Sequence, residues 1–247
     1  MKKYLLVITA LCLAAFLTAG CQQAATTPAT DAPDSLELAA SIGGMMQYST
    51  AVDNTATSLM GITAGAAGLI DGATASELTY SGGWWNFTYS ASVITYTFKV
   101  RVYDADDTEI TDSASFADAN KISMALTMSI GSSATYAFGT EANPLTFDGL
   151  SSGVKSIDGL ISVDLTDETG STYVVSIAYS AVELDASGYP ASGSATFSFT
   201  SSDYATVAGT VTFNGSTATV AYTAPSEYEG LSYTVDLTTG AATPASL

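Results

Sequence analysis

The sequence predicts a mainly β protein. It should be an antiparallel meander forming one strongly curved sheet or incomplete barrel, with a helical segment on its N-terminal side; a two-sheet β-sandwich is the alternative. Three observations predict this. From about residue 78, apolar residues recur at every second position, the spacing of a strand with one buried face. The alternating runs are joined by short turn-rich connections such as "YDADDTEI", "LTDETGSTY" and "LDASGYPASG". Only the segment from residue 35 to 70 carries a helical period. Ten or so strands with one apolar face must curl to bury it, and the helix is a natural filler for the concave side.

In the helical part, Asp34 can cap the chain with Glu37 in capping-box position. Leu36, Ala39, Ala40, Gly43 and Met46 then fall on one face. A second helical pattern runs through Val52, Ala56, Leu59 and Met60 to Leu69. Within it "GITAGAAGLI" contains a G-x-x-x-G spacing, read as a small-residue helix packing on the sheet because the run is short and flanked by Asp53 and Asp71. The strands occupy residues 78–238. "SVITYTFKVRVY" sets Ile94, Tyr96, Phe98, Val100 and Val102 against Thr95, Thr97, Lys99 and Arg101. "KISMALTMSI" sets Ile122, Met124, Leu126, Met128 and Ile130 against Lys121, Ser123, Ala125, Thr127 and Ser129. Further strands are expected at 84–89, 136–138, 157–165, 173–182, 195–199, 204–213, 217–222 and 231–237. In "VAGTVTFNGSTATVAY", Asn214-Gly215 suits a two-residue type I′ turn, which places Phe213 opposite Ser216 and Val211 opposite Ala218. Residues 239–247 read as a loose tail. A transmembrane barrel would need a lipid-facing apolar band with aromatic girdles, and the 14 tyrosines do not bracket successive strands in that way.

The first two dozen residues give an address. Lys2 and Lys3 precede an apolar run, Tyr4 to Leu17, too short for the ~20 residues that span a bilayer. Thr18-Ala19-Gly20 then leads into Cys21. This layout resembles the lipobox signal peptide of bacterial lipoproteins, with Leu17 one position earlier than the usual leucine. The resemblance implies a signal peptide over residues 1–20, cleavage before Cys21, a diacylglyceryl thioether on its sulfur and an acylated amino group. Such an anchor exceeds the two signals that stable attachment needs. Gln22 in place of Asp after the cysteine implies sorting to the outer membrane. Cys12 is then discarded with the signal, and the mature chain has no thiol for a disulfide. Residues 21–34 form a Pro/Ala/Thr/Gln tether, whose stretch from Gln22 reaches ~45 Å when extended.

Charge limits the partners. The chain has 24 acidic and 6 basic residues and no histidine, for a net charge of −18. Loss of Lys2 and Lys3 leaves Lys99, Arg101, Lys121 and Lys155 as the only cations against those 24 acids, a net −20. Such a surface repels phosphate backbones, so nucleic acid is not an expected partner, and membrane contact rests on the lipid anchor. An envelope protein, a glycan or a lipid remain as partners.

Several fragments carry chemistry in other settings. "SGVK", Ser152 to Lys155, matches S-x-x-K but lacks the accompanying S-D-N and K-T-G elements. "ELD", Glu183 to Asp185, has two carboxylates of an E-x-D-x-E strand, with Ser187 where the third would stand. Asp104, Asp106, Asp107 and Asp112 form the densest oxygen cluster, a calcium candidate without the Gly and Glu of an EF-hand. Asn86-Phe87-Thr88 is a sequon, incidental in a bacterium. In "SGGWWNFTY", Trp85 shares parity with Phe87 and Tyr89 and belongs to the core. Trp84 should lie on the wetter face, where it can stack a sugar or anchor a partner. Without histidine or a free thiol, the commonest general base and most zinc sites are missing. The expected function is a non-catalytic lipid-anchored lipoprotein with a binding or structural role. The alternative is a carrier of an apolar ligand between sheet and helix, with Met124 and Met128 as adaptable lining. A carbohydrate-active or other enzyme is the distant third.

Overall fold

The computed structural model describes residues 35–36, 38–40, 42, 79–91, 94–151, 155–166, 170–185, 190–202 and 205–245. The signal-like segment with Cys12 and Cys21, the tether, the second helical pattern and Ser152 lie outside the described residues. Among the described residues, thirteen strands form one sheet: β1 Thr79–Ser81, β2 Trp84–Ala91, β3 Ile94–Tyr103, β4 Lys121–Ile130, β5 Ala134–Phe138, β6 Leu145–Asp148, β7 Lys155–Thr166, β8 Thr172–Leu184, β9 Pro190–Ser201, β10 Val207–Asn214, β11 Thr217–Ala224, β12 Ser232–Asp236 and β13 Ala242–Pro244. Neighbours in the chain are neighbours in the sheet, all antiparallel, apart from one shared slot. The two-sheet sandwich is thereby replaced by a single curved sheet. Its outermost strands, β1 and β13, are not paired with each other, so the barrel is incomplete.

The shared slot lies between β4 and β7. β5 pairs with both strands at one end (Met128↔Tyr136↔Val163), and β6 pairs with both at the other (Ile122↔Phe147↔Ile157). Where they meet, Gly139 has φ +69° and its amide donates to Leu160 O at 2.6 Å. A Cβ at Gly139 would fall inside contact distance of Leu145 N and Met124 O, so the chain passes there only because the residue is glycine.

Alternation produces the expected division of faces. Phe98, Val100, Val102, Ile122 and Met124 are buried, while Thr95, Thr97 and Thr127 are exposed. One hydrophobic cluster runs from Trp85 on β2 through Leu145, Ile157, Phe197 and Val211 to Val235 on β12. A transmembrane barrel has the opposite arrangement, apolar outside and polar within. Residues 35, 36, 38–40 and 42 are helical (α1), and Ala39 (0% exposed) and Ile42 (2%) join the same cluster. Tyr222 on β11 donates its hydroxyl to Ser35 O (2.9 Å), and Ser35 Oγ bonds Tyr233 Oη on β12 (2.7 Å). The helical segment therefore docks on the C-terminal strands. Its buried face centres on Leu38, Ala39 and Ile42 rather than on Leu36, which is exposed.

Two expectations need correction. In the β10–β11 hairpin, Phe213 pairs with Ala218 and Asn214 with Thr217, two residues from the expected register. The turn residues are Gly215 and Ser216. Gly215 has φ +66° and Ser216 is not among the positive-φ residues, as a type II′ turn requires. The flanking strands fix it there: Gly215 N donates to Ala191 O and Leu237 N donates to Ser216 O, both at 2.8 Å. A shift of two preserves the buried face, so the apolar pattern alone could not choose between the registers. The second correction is the tail, which is not loose throughout. The Asp236 carboxylate accepts from Thr238 Oγ1 (2.6 Å), Thr238 N (2.7 Å) and Thr239 N (3.3 Å), turning the chain so that Ala242 pairs with Val235 as β13. Its hydrogen bonds with Thr238 hold the Asp236 carboxyl below its ordinary value.

Candidate functional site

Trp84 is not an exposed platform. It is 4% exposed, on the same face as Lys99 and Arg101 as parity predicts, but the Arg101 guanidinium carbon lies 4.3 Å from its ring centroid. Arg101 Nε donates to Gly83 O at 2.9 Å, which fixes the cation over the indole. Trp85, 7% exposed on the core side, donates Nε1–H to Ile110 O (2.9 Å) and meets the edge of Phe116 with centroids 4.9 Å apart. Asn86 Nδ2 donates to Trp84 O (2.6 Å) and to Ser81 O (3.2 Å), so the sequon asparagine holds β1 against β2.

The aspartates each have local work. Asp104 Oδ1 accepts from Asp106 N and Thr108 N, both at 2.9 Å, closing an Asx turn. Asp107, at φ +61°, forms an ion pair with Lys121. Asp112 caps the 3₁₀ helix Ser113–Asp118 by accepting from Ala114 N (3.0 Å). Among the described residues, no group of three or more His, Cys, Asp or Glu could hold a metal ion. Glu183 accepts from Ser192 Oγ at 3.0 Å, Asp185 is exposed beyond the end of β8, and Lys155 opens β7.

Met124 (1% exposed) and Met128 (5%) are both buried, but they are not brought together. Met124 belongs to the main cluster with Ala39 and Ile42, whereas Met128 packs in a separate cluster with Tyr136 and Val163. On the polar face, a shallow groove of ≈ 200 Å³ is lined by Thr97, Lys99, Ala125, Thr127, Ala137 and Glu141. Lys99 Nζ and Glu141 Oε1 close one side of it at 2.7 Å.

Sequence reasoning missed two tyrosines. Tyr136 on β5 is 2% exposed and Tyr179 on β8 is 6% exposed. Burial raises the pKa of both phenols, that of Tyr179 to about 12. Among the described residues no hydrogen bond reaches either hydroxyl, and neither has an opposite neighbour that could supply one. Tyr136 faces Met128 and Val163, and Tyr179 faces Gly159 and Ala195. The signal in the sequence was a tyrosine at an inward position of a strand, but only the register shows that its neighbours are all apolar. Compared with family models, curated proteins and solved structures, the chain matches none.

Proposed function

We propose that the protein is a non-catalytic lipoprotein of a bacterial envelope, anchored by acyl chains on Cys21 and sorted to the outer membrane, with a β domain that binds or scaffolds another envelope component. The observation that carries this reading is the apolar run ending in Thr18-Ala19-Gly20-Cys21 behind Lys2 and Lys3. Several of the candidate side chains in the described domain have structural roles that fit this reading. Asp104 and Asp112 organise a turn and a cap, Asp107 pairs with Lys121, Glu183 accepts from Ser192, and Trp84 lies under Arg101. The acidic surplus of the chain, 24 Asp and Glu against 6 Lys and Arg, directs it toward neutral or cationic partners and away from nucleic acid.

The test is Cys21→Ser. The wild type should incorporate an acyl label and partition into the detergent phase; the variant should lose both properties and accumulate as a soluble or unprocessed chain. A Cys21→Ser protein that still takes the label and still enters the detergent phase refutes the anchor.

A further inference from the structure

The groove on the polar face exists because two outward positions carry only a methyl group. Ala125 on β4 lies directly opposite Lys99 on β3, and Ala137 on β5 lies directly opposite Thr127 on β4. Both alanines are half-buried among these longer neighbours. Gly139, which the close approach of Leu145 and Met124 backbone requires, adds no side chain beyond them. The depression of ≈ 200 Å³ is therefore floored by small residues and bounded by Thr97, Thr127 and the Lys99–Glu141 pair. Lys99 starts on β3 and Glu141 follows β5, so their 2.7 Å ion pair reaches across β4. The groups around it are open to a ligand. The Lys99 and Glu141 side chains are 31% and 56% exposed, and Thr97 and Thr127 are exposed as well.

The chemistry of the lining selects what fits. An ammonium only donates, a carboxylate only accepts, and a hydroxyl does both. Lys99 Nζ beside Glu141 Oε1 is complementary to two neighbouring hydroxyls of a sugar ring, one accepting from the ammonium while the next donates to the carboxylate. The pair carries no net charge, and a chain of net −18 repels polyanions. From the groove an uncharged row crosses the sheet: Thr127, Ala137, Ser162, Ser176 and Ser198 stand opposite one another on β4, β5, β7, β8 and β9. At ~4.8 Å per strand the row is about 19 Å long, room for more than one sugar unit. A peptide would instead seek a sheet edge or apolar pockets, and this row lies on a face and is polar.

We propose that the groove binds one unit of a neutral glycan chain, with Lys99 and Glu141 on adjacent ring hydroxyls, Thr97 and Thr127 beside them, and the serine row carrying the next units. The assignment deepens the binding role proposed above and rests on it, but needs nothing from Cys21.

The test titrates the full wild-type chain, in a detergent without a sugar headgroup, with neutral dextran, mannan, laminarin and chitohexaose and with anionic alginate. At least one neutral glycan should bind, with an affinity that does not change between low and high salt, and alginate should not. Ala125→Leu fills the floor and should abolish binding. Glu141→Gln lies outside the strands and keeps the side-chain shape; it should weaken the glycan about tenfold, the loss of one charge-assisted hydrogen bond. Thr219→Leu, exposed on β11, should leave the affinity unchanged. The proposal is overturned if no neutral glycan binds, if alginate binds equally well, or if the groove variants bind like the wild type. Should Ala125→Leu not fold, Glu141→Gln decides alone. Acyl labelling of the same preparation keeps the two readings apart. Label without glycan binding overturns the groove and leaves the anchor standing; glycan binding without label does the reverse.

Discussion

A long side chain from the next strand decides whether Trp84 is available. Parity places the indole correctly on the face of Lys99 and Arg101, but exposure depends on Arg101 lying across it, and no pattern along β2 encodes that contact. Buried phenols are equally hidden from periodicity, yet they have a measurable consequence. Below pH 10 Tyr179 is neutral in both folded and unfolded chains. As pH rises past 10 the unfolded phenol ionises while the buried one resists to about 12, so stability is lost as pH climbs through that window. Two units correspond to about 3 kcal/mol, and urea melts at pH 9 and pH 12 should show that much less loss in Tyr179→Phe than in the wild type. Glycines separate in the same way. Gly131 (φ +57°) has nothing within 4 Å of an added Cβ, so Gly131→Ala should cost only the conformational ~1–2 kcal/mol. Gly139→Ala must also displace Leu145 or Met124 backbone and should fail to fold, or melt far lower in a thermal scan.

Long, strictly alternating elements were legible and those of three or four residues were not. "KISMALTMSI" reads as a strand with the observed bounds, Lys121–Ile130, because ten residues display five full periods. β1 and β13 have three residues each and β6 has four, too few to establish a period, and each pairs with a longer strand beside it. The β10–β11 hairpin shows a subtler limit. Asn214-Gly215 and Gly215-Ser216 are both acceptable turns, and both registers bury Val211 and Val220. The choice falls to hydrogen bonds from β9 and from Leu237, which lie far away or beyond the hairpin in sequence. Cross-linking can check it. With Cys12 and Cys21 replaced by Ser, Thr212→Cys/Thr219→Cys places the thiols directly opposite, within the ~4.4–6.8 Å Cα range of a disulfide. It should oxidise readily, and Thr212→Cys/Thr217→Cys, the pair opposite in the other register, should not. The reverse result would restore the Asn-Gly turn.

For the whole molecule, charge is the dominant departure from the ordinary. A net −18 repels itself, and the described cations do little to relieve it: Lys99 and Lys121 pair with Glu141 and Asp107 on partly exposed positions, worth ~0–1 kcal/mol each. Curvature of the sheet was legible because so many one-faced strands must close on themselves, and the main cluster, running from β2 to β12, is that closure. The acidic surface was legible too, but the roles of its aspartates were not. Asp104 turns its carboxylate toward backbone amides of its own loop, and Asp112 does the same at a 3₁₀ cap. Those oxygens are already accepting hydrogen bonds that a cation would have to displace. Divalent ions should therefore act on the total charge rather than on a coordination site. Calcium and magnesium are expected to raise the melting temperature about equally, and only at millimolar concentration, because screening depends on valence and not on ligand geometry. Asp104→Asn/Asp106→Asn should leave that response unchanged. A calcium-selective rise at micromolar concentration, lost in the double variant, would instead make the Asp104–Asp112 loop a calcium site.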